Sequence, residues 1–145
     1  MIVRGKWLSC SDGVSRPVLA AEAVAANGEW VEVLFLLDTG ADRTVLSAAT
    51  LWQLALATSE SVVQLGGVGG ESQTVAVATT VRFQTDRGTW ATLKGDIPAF
   101  TDPFALELSV VGRDYLSQFA VIVDQPGDFV GLVGRGHRYR LEEAT

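Results

Sequence analysis

Hydrophobic and polar positions alternate along most of this 145-residue chain in short runs broken by turn-forming residues, a pattern of strands and hairpins rather than long helices. Ile2 to Leu8 predicts a first strand, followed by the polar loop "SCSDGVSRP". "PVLAAEAVAA" and "EWVEVLFLLD" flank Asn27-Gly28, and an Asn-Gly pair between two apolar runs predicts a hairpin. "TVLS", ending at Ser47, reads as extended. Ser47 then stands as the cap of a short helix, "AATLWQLAL", with Leu51, Leu54 and Ala55 on one face. A second group of strands follows in "SVVQL" and "QTVAVATTVRFQ", separated by "GGVGGES". The turn "TDRG" leads to "TWATLKGDIPAF", and the proline-bearing "TDPFALEL" reads as loop. "VVGRDYLSQF" predicts a strand end passing into one or two helical turns, and "AVIVD", "QPGD" and "FVGLVG" predict a closing hairpin. The expectation is a compact all-β domain spanning residues 1–145 with one or two short helices and no internal repeat.

Composition narrows the chemistry. Hydrophobic residues make up 48% of the chain, enough for a folded core. A net charge of -6 argues against general nucleic-acid binding. The local exception, "GRGHRYR" with Arg135, Arg138 and Arg140, reads as a solvated strand or tail. No apolar run is long enough to cross a bilayer as a helix, and the N-terminus lacks a signal-peptide pattern, so the expected setting is soluble and cytoplasmic, away from membranes. Cys10 and His137 are the sole residues of their types, which excludes an internal disulfide and leaves little for a Cys/His metal site or a Ser-His mechanism. Trp7, Trp30, Trp52 and Trp90 are expected as core or interface anchors. If the protein is an enzyme, carboxylates are the side chains left to carry the reaction.

One carboxylate is out of place for a purely structural role. Asp38 ends the greasy run "VEVLFLL", and a charge there is costly unless it is used. Taken alone, Asp38-Thr39-Gly40 is also an ordinary turn. "LLDTGADRTVLS" followed by "VVGRDYL", with Gly66, Gly67, Val68, Gly69 and Gly70 between them, resembles the retropepsin-like aspartic proteases.

That resemblance implies a retropepsin-like fold, a closed β-barrel lobe, and an aspartic endopeptidase that needs neither metal nor organic cofactor. Asp38, Thr39 and Gly40 would form the catalytic turn, Thr39 bonding across a dimer axis and Gly40 letting the backbone approach a substrate. Ala41 and Asp42 would line the peptide site, with Gly66 to Gly70 as a flap over it. Arg113 and Asp114 would support the turn from below, Arg113 through an ion pair with Asp42. The chain holds no second Asp-[Thr/Ser]-Gly: Asp12 sits in "SDGV" and Asp86 in "TDRG". A homodimer is therefore implied, with Asp38 of each copy meeting at a two-fold axis and a peptide or protein as substrate. The alternative is a catalytically inactive module that holds peptides in the same cleft. Arg43 departs from the acidic residue usual in retroviral enzymes, Asp114 replaces their asparagine, and the C-terminal segment is longer than theirs.

Overall fold

The computed structural model describes residues 1–67, 70–136 and 140–144, with side chains for all of these except 62–67 and 70–72. The architecture is mostly β. Strand β3 (Ser15–Val24) runs antiparallel to β4 (Trp30–Leu37), in register from Val24↔Trp30 to Val18↔Leu36. Their connection is the expected Asn-Gly hairpin. Ala25 N–H donates to Glu29 O at 2.9 Å, and Gly28 supplies the positive φ of +83° that the turn requires. Along β4, Val33, Phe35 and Leu37 are buried in alternation, so one face of the strand points into the core.

Strand β6 (Gly70–Gln84) pairs with three others: β5 (Ser59–Gly67), β7 (Trp90–Phe100) and, at Glu22↔Arg82 and Ala23↔Val81, β3. Strand β8 (Ser109–Val111) lies parallel to β4, with Phe35 opposite Ser109 and Leu37 opposite Val111. The path β7-β6-β3-β4-β8 returns on itself through Val45↔Val110 and Leu46↔Ala99. The ring of pairings thus closes through isolated bridges of the 45–46 segment, not through a continuous ladder. Inside it, Phe83 stacks on Tyr115 at 5.1 Å and tilts against Phe35 at 5.8 Å.

The N-terminal run is not one strand. It splits into β1 (Ile2–Arg4) and β2 (Lys6–Ser9), and the chain changes sheets between them. β2 pairs with β3, whereas β1 joins β10 (Phe129–Val133) and β9 (Ala120–Asp124) in a three-stranded sheet of order β1-β10-β9. Gly5 sits at the crossing because a Cβ there would stand 2.4 Å from Val18 O.

Helix α1 (Ala48–Leu54) is capped as expected, Thr50 N–H donating to Ser47 Oγ at 3.2 Å. Leu51 and Leu54 are buried, but Ala55 is exposed and ends the helix with φ +52°, so it does not share their face. None of the four tryptophans is fully buried. Trp7 is partly buried against the core, and Trp52 lies 62% exposed on α1. Trp30 and Trp90 flank the Arg82 guanidinium at 3.7 and 4.0 Å, covering a cation that also pairs with Glu22. Their amphipathic rings suit that half-exposed stack better than a dry core. No helix among the described residues is long and apolar enough to cross a membrane.

Candidate active site

The site grows from the end of β4. Once Leu37 is buried, the chain leaves the sheet, and the first residue out is Asp38, half-buried, followed by the exposed Thr39 and Gly40. Asp38 N–H donates to Val111 O at 3.2 Å, extending the β4–β8 pairing by one bond and holding the turn against β8. Ala41 N–H closes the turn onto Asp38 O at 3.2 Å, and Gly40 N–H donates to Asp38 Oδ1 at 2.9 Å. This is the Asx-turn geometry that Asp readily adopts, and it fixes the carboxylate's orientation from its own backbone. A Cβ on Gly40 would stand 3.2 Å from Asp38 Oδ1, so the glycine leaves room for that carboxylate. None of the ion pairs among the described residues involves Asp38.

Below the turn, the chain is held by the start of α2 (Arg113–Leu116). Arg113 N–H donates to Ala41 O at 2.8 Å and Asp114 N–H to Asp42 O at 3.1 Å. Gly112 permits this approach. A Cβ there would meet Arg43 C and O at 2.5 Å, so a larger residue would push the two segments apart. Arg113 and Asp42 also form an ion pair through Nη2 and Oδ1. Both side chains are more than half exposed, so the pair adds little stability.

The stronger brace is one that sequence reasoning missed. Thr44 is fully buried, and its N–H (2.9 and 3.0 Å) and hydroxyl (2.8 Å) both donate to the Asp114 carboxylate. The same carboxylate accepts from Tyr115 N–H at 2.9 Å, and Thr44 Oγ1 accepts from Gly112 N–H at 3.2 Å. Asp114 itself reaches the surface, but four hydrogen bonds converge on its carboxylate from a buried threonine and the start of α2, and such a charge-assisted set outweighs a single exposed pair. Its one visible signal was a threonine between Arg43 and the apolar Val45-Leu46, where the extended run starts.

Gly66, Gly67 and Gly70 close the β5–β6 hairpin, with Gly66 opposite Glu71 and Gly67 opposite Gly70. Val68 and Gly69, expected at the flap tip, lie outside the described residues, as do His137 and Arg138 of the basic C-terminal run. Arg140 of that run is exposed and pairs with Glu142 at 3.6 Å.

Fold and site together define an aspartyl-protease type of domain. A family model described as aspartyl protease matches residues 23–99, more than half of the chain, and the chain belongs to that family. The likeness to retropepsin-like enzymes drawn from the motifs therefore holds at the level of family. Among solved structures, EIAV protease complexed with the inhibitor HBY-793 is 28% identical, over 70% of this chain and 86% of that one, with a TM-score of 0.49. A retropepsin-like aspartic protease from Rickettsia conorii is 16% identical over 91% and 88%, with a TM-score of 0.49. The retroviral protease-like domain of Ddi1 from Leishmania major is 14% identical over 82% and 96%, with a TM-score of 0.42. A search of curated proteins finds no match.

Proposed function

We propose that this protein is an aspartic endopeptidase in which Asp38 of two identical chains forms the catalytic dyad. The observation that carries the reading is Asp38 itself: a carboxylate at the end of a buried strand, oriented by its own turn and unpaired with any cation among the described residues. Brought within a few ångströms of its twin, it shares a proton, because two adjacent carboxylates do not both ionise. One member then takes a proton from a water that attacks the scissile carbonyl, and the other donates to the carbonyl oxygen. The pair titrates as a unit. In this reading Thr39 bonds across the axis, Ala41 and Asp42 line the peptide, and the network of Arg113 and Asp114 holds the turn still. An extended peptide lies between this floor and the Gly66–Gly70 hairpin, gaining backbone hydrogen bonds like an added strand.

The test is cleavage of a peptide library at mildly acid pH by the recombinant protein. Asp38→Asn is expected to lower the rate by on the order of a thousandfold, as loss of a general acid-base group does. A statine-type inhibitor is expected to block what the wild type does. A dimeric wild type that binds peptides but stays inert from acid to neutral pH would instead mark the inactive peptide-holding module.

A further inference from the structure

Beside the Asp38 turn stands an exposed cation, Arg43, that makes no ion pair among the described residues. The acids nearest to it are already engaged. Asp42 pairs with Arg113, and the Asp114 carboxylate accepts from Thr44 N–H, the Thr44 hydroxyl and Tyr115 N–H. The backbone of Arg43 is held in place, its carbonyl packed so closely on Gly112 that a Cβ there would stand 2.5 Å from it. The residues that follow are extended. Val45 exchanges hydrogen bonds of 2.9 and 2.8 Å with Val110, and Leu46 bonds the other way, to Pro98 O at 2.9 Å and from Phe100 N–H at 3.0 Å. Thr44 turns its hydroxyl to Asp114, and Leu46 joins the core. Side chains alternate along extended backbone, so Arg43 projects from the opposite side, away from the brace beneath the turn. It also stays near Asp38. Ala41 N–H bonds to Asp38 O, which keeps those two Cα atoms within about 7 Å. Two further residues add at most about 7 Å, so Arg43 lies within about 14 Å of Asp38. Along an extended peptide that is no more than about four residues.

We propose that Arg43 selects acidic peptides, its guanidinium binding a glutamate or aspartate side chain within about four residues of the scissile bond. This rests on the peptide-cleft reading above and goes beyond it in naming the charge of the substrate. The chain's net charge of -6 points the other way, because at long range it attracts basic peptides. At physiological salt that field fades beyond about 8 Å, so a contact pair is decided by its own geometry. A guanidinium with no carboxylate of its own offers two parallel N–H donors to one carboxylate. A peptide lying over it also removes water from the pair, which strengthens the attraction. The preference is therefore confined to the position that faces Arg43. A two-fold dimer presents two such cations, one on each side of the scissile bond. An acid elsewhere in the peptide meets only the diffuse negative field.

The test uses peptides with amidated C-termini, identical but for Glu, Gln or Lys at one position, scanned across about four residues on each side of the scissile bond. Side chains are then the sole carboxylates, and glutamate is ionised at about pH 6. The wild type is expected to favour Glu over Gln by about tenfold in kcat/KM at one position on each side, as a charge-assisted hydrogen bond warrants. That ratio is expected to shrink in about 1 M salt, where the screening length is about 3 Å. Arg43→Lys is expected to keep most of it, Arg43→Gln to abolish it, and Arg43→Glu to reverse it in favour of the Lys peptide. Each readout is a ratio between peptides, so a weakly active variant still reports. The same peptides are titrated by fluorescence anisotropy against Asp38→Asn, which is expected to bind without cleaving. Tighter binding of the Glu peptides there, with no cleavage by the wild type, upholds the acidic selection and overturns the dyad. Asp38-dependent cleavage with a Glu preference that survives Arg43→Gln overturns the role of Arg43 and leaves the dyad standing. Equal treatment of Glu and Gln by the wild type, in cleavage and in binding alike, overturns the selection whatever the variants do.

Discussion

Thr44 shows how much one hydroxyl can organise. Its donors satisfy Asp114, and its acceptor satisfies Gly112 N–H, in the space directly beneath the Asp38 turn. Thr44→Val keeps the shape but leaves the buried Gly112 N–H without its acceptor and takes one of the bonds from the Asp114 carboxylate. It is expected to cost about 1–3 kcal/mol in urea unfolding, with Thr44→Ser recovering most of it. Tyr115 gives the opposite case. Its hydroxyl finds no partner among the described residues, and burial pushes its pKa up to about 12. The unfolded tyrosine ionises near pH 10, so between pH 10 and 12 the unfolded chain binds fewer protons than the folded one. The associated stability is whole below pH 10 and falls as the pH rises to 12, by about 3 kcal/mol. Tyr115→Phe is expected to leave neutral-pH stability unchanged or slightly raised and to flatten that alkaline decline, read by denaturant melts from pH 8 to 12.

At the scale of elements, Gly5 is the hinge between sheets, and the atoms that a Cβ would strike belong to Val18, Leu19 and Val130. Val18 O, the nearest, is backbone in β3 and does not move as a side-chain tip would. Gly5→Ala is thus expected to lower the melting temperature by about 7 °C or more, a loss of roughly 2 kcal/mol or more in a domain of this size. Gly28→Ala, in open space at positive φ, is expected to cost only about 1 kcal/mol. The contrast explains what could be read from the sequence. The Gly28 turn is a local rule, legible from two residues and their flanks. Gly5 looked like any small residue inside an apolar run, because what forbids a side chain there lies 13 to 125 residues away. Ala55 was misplaced for a related reason: periodicity put it on the helix face, but the chain turns left-handed at that residue. The Thr44–Asp114 bond spans 70 residues and joins two segments whose own patterns do not announce it. The motifs around Asp38 and Arg113 were legible because their residue types are specific in combination, whereas the packing between them exists only once the parallel β4–β8 pair has formed.

At the scale of the whole molecule, the question is how many copies of Asp38 one site uses. A single chain presents one such turn, and among the described residues no second carboxylate is hydrogen-bonded to Asp38, whose Oδ1 accepts from Gly40 N–H. Mixing wild type with Asp38→Asn, under conditions where subunits exchange, separates the possibilities by counting. In an equal mixture of freely exchanging two-fold dimers, about one quarter carry two aspartates, so activity is expected to fall to about a quarter of that of the same total of wild type. A site served by one chain alone would retain about half, and a dimer needing only one aspartate about three quarters. Varying the ratio sharpens the test. Activity should follow the square of the wild-type fraction, and a straight line in its place would mean that each chain acts with its own carboxylate alone.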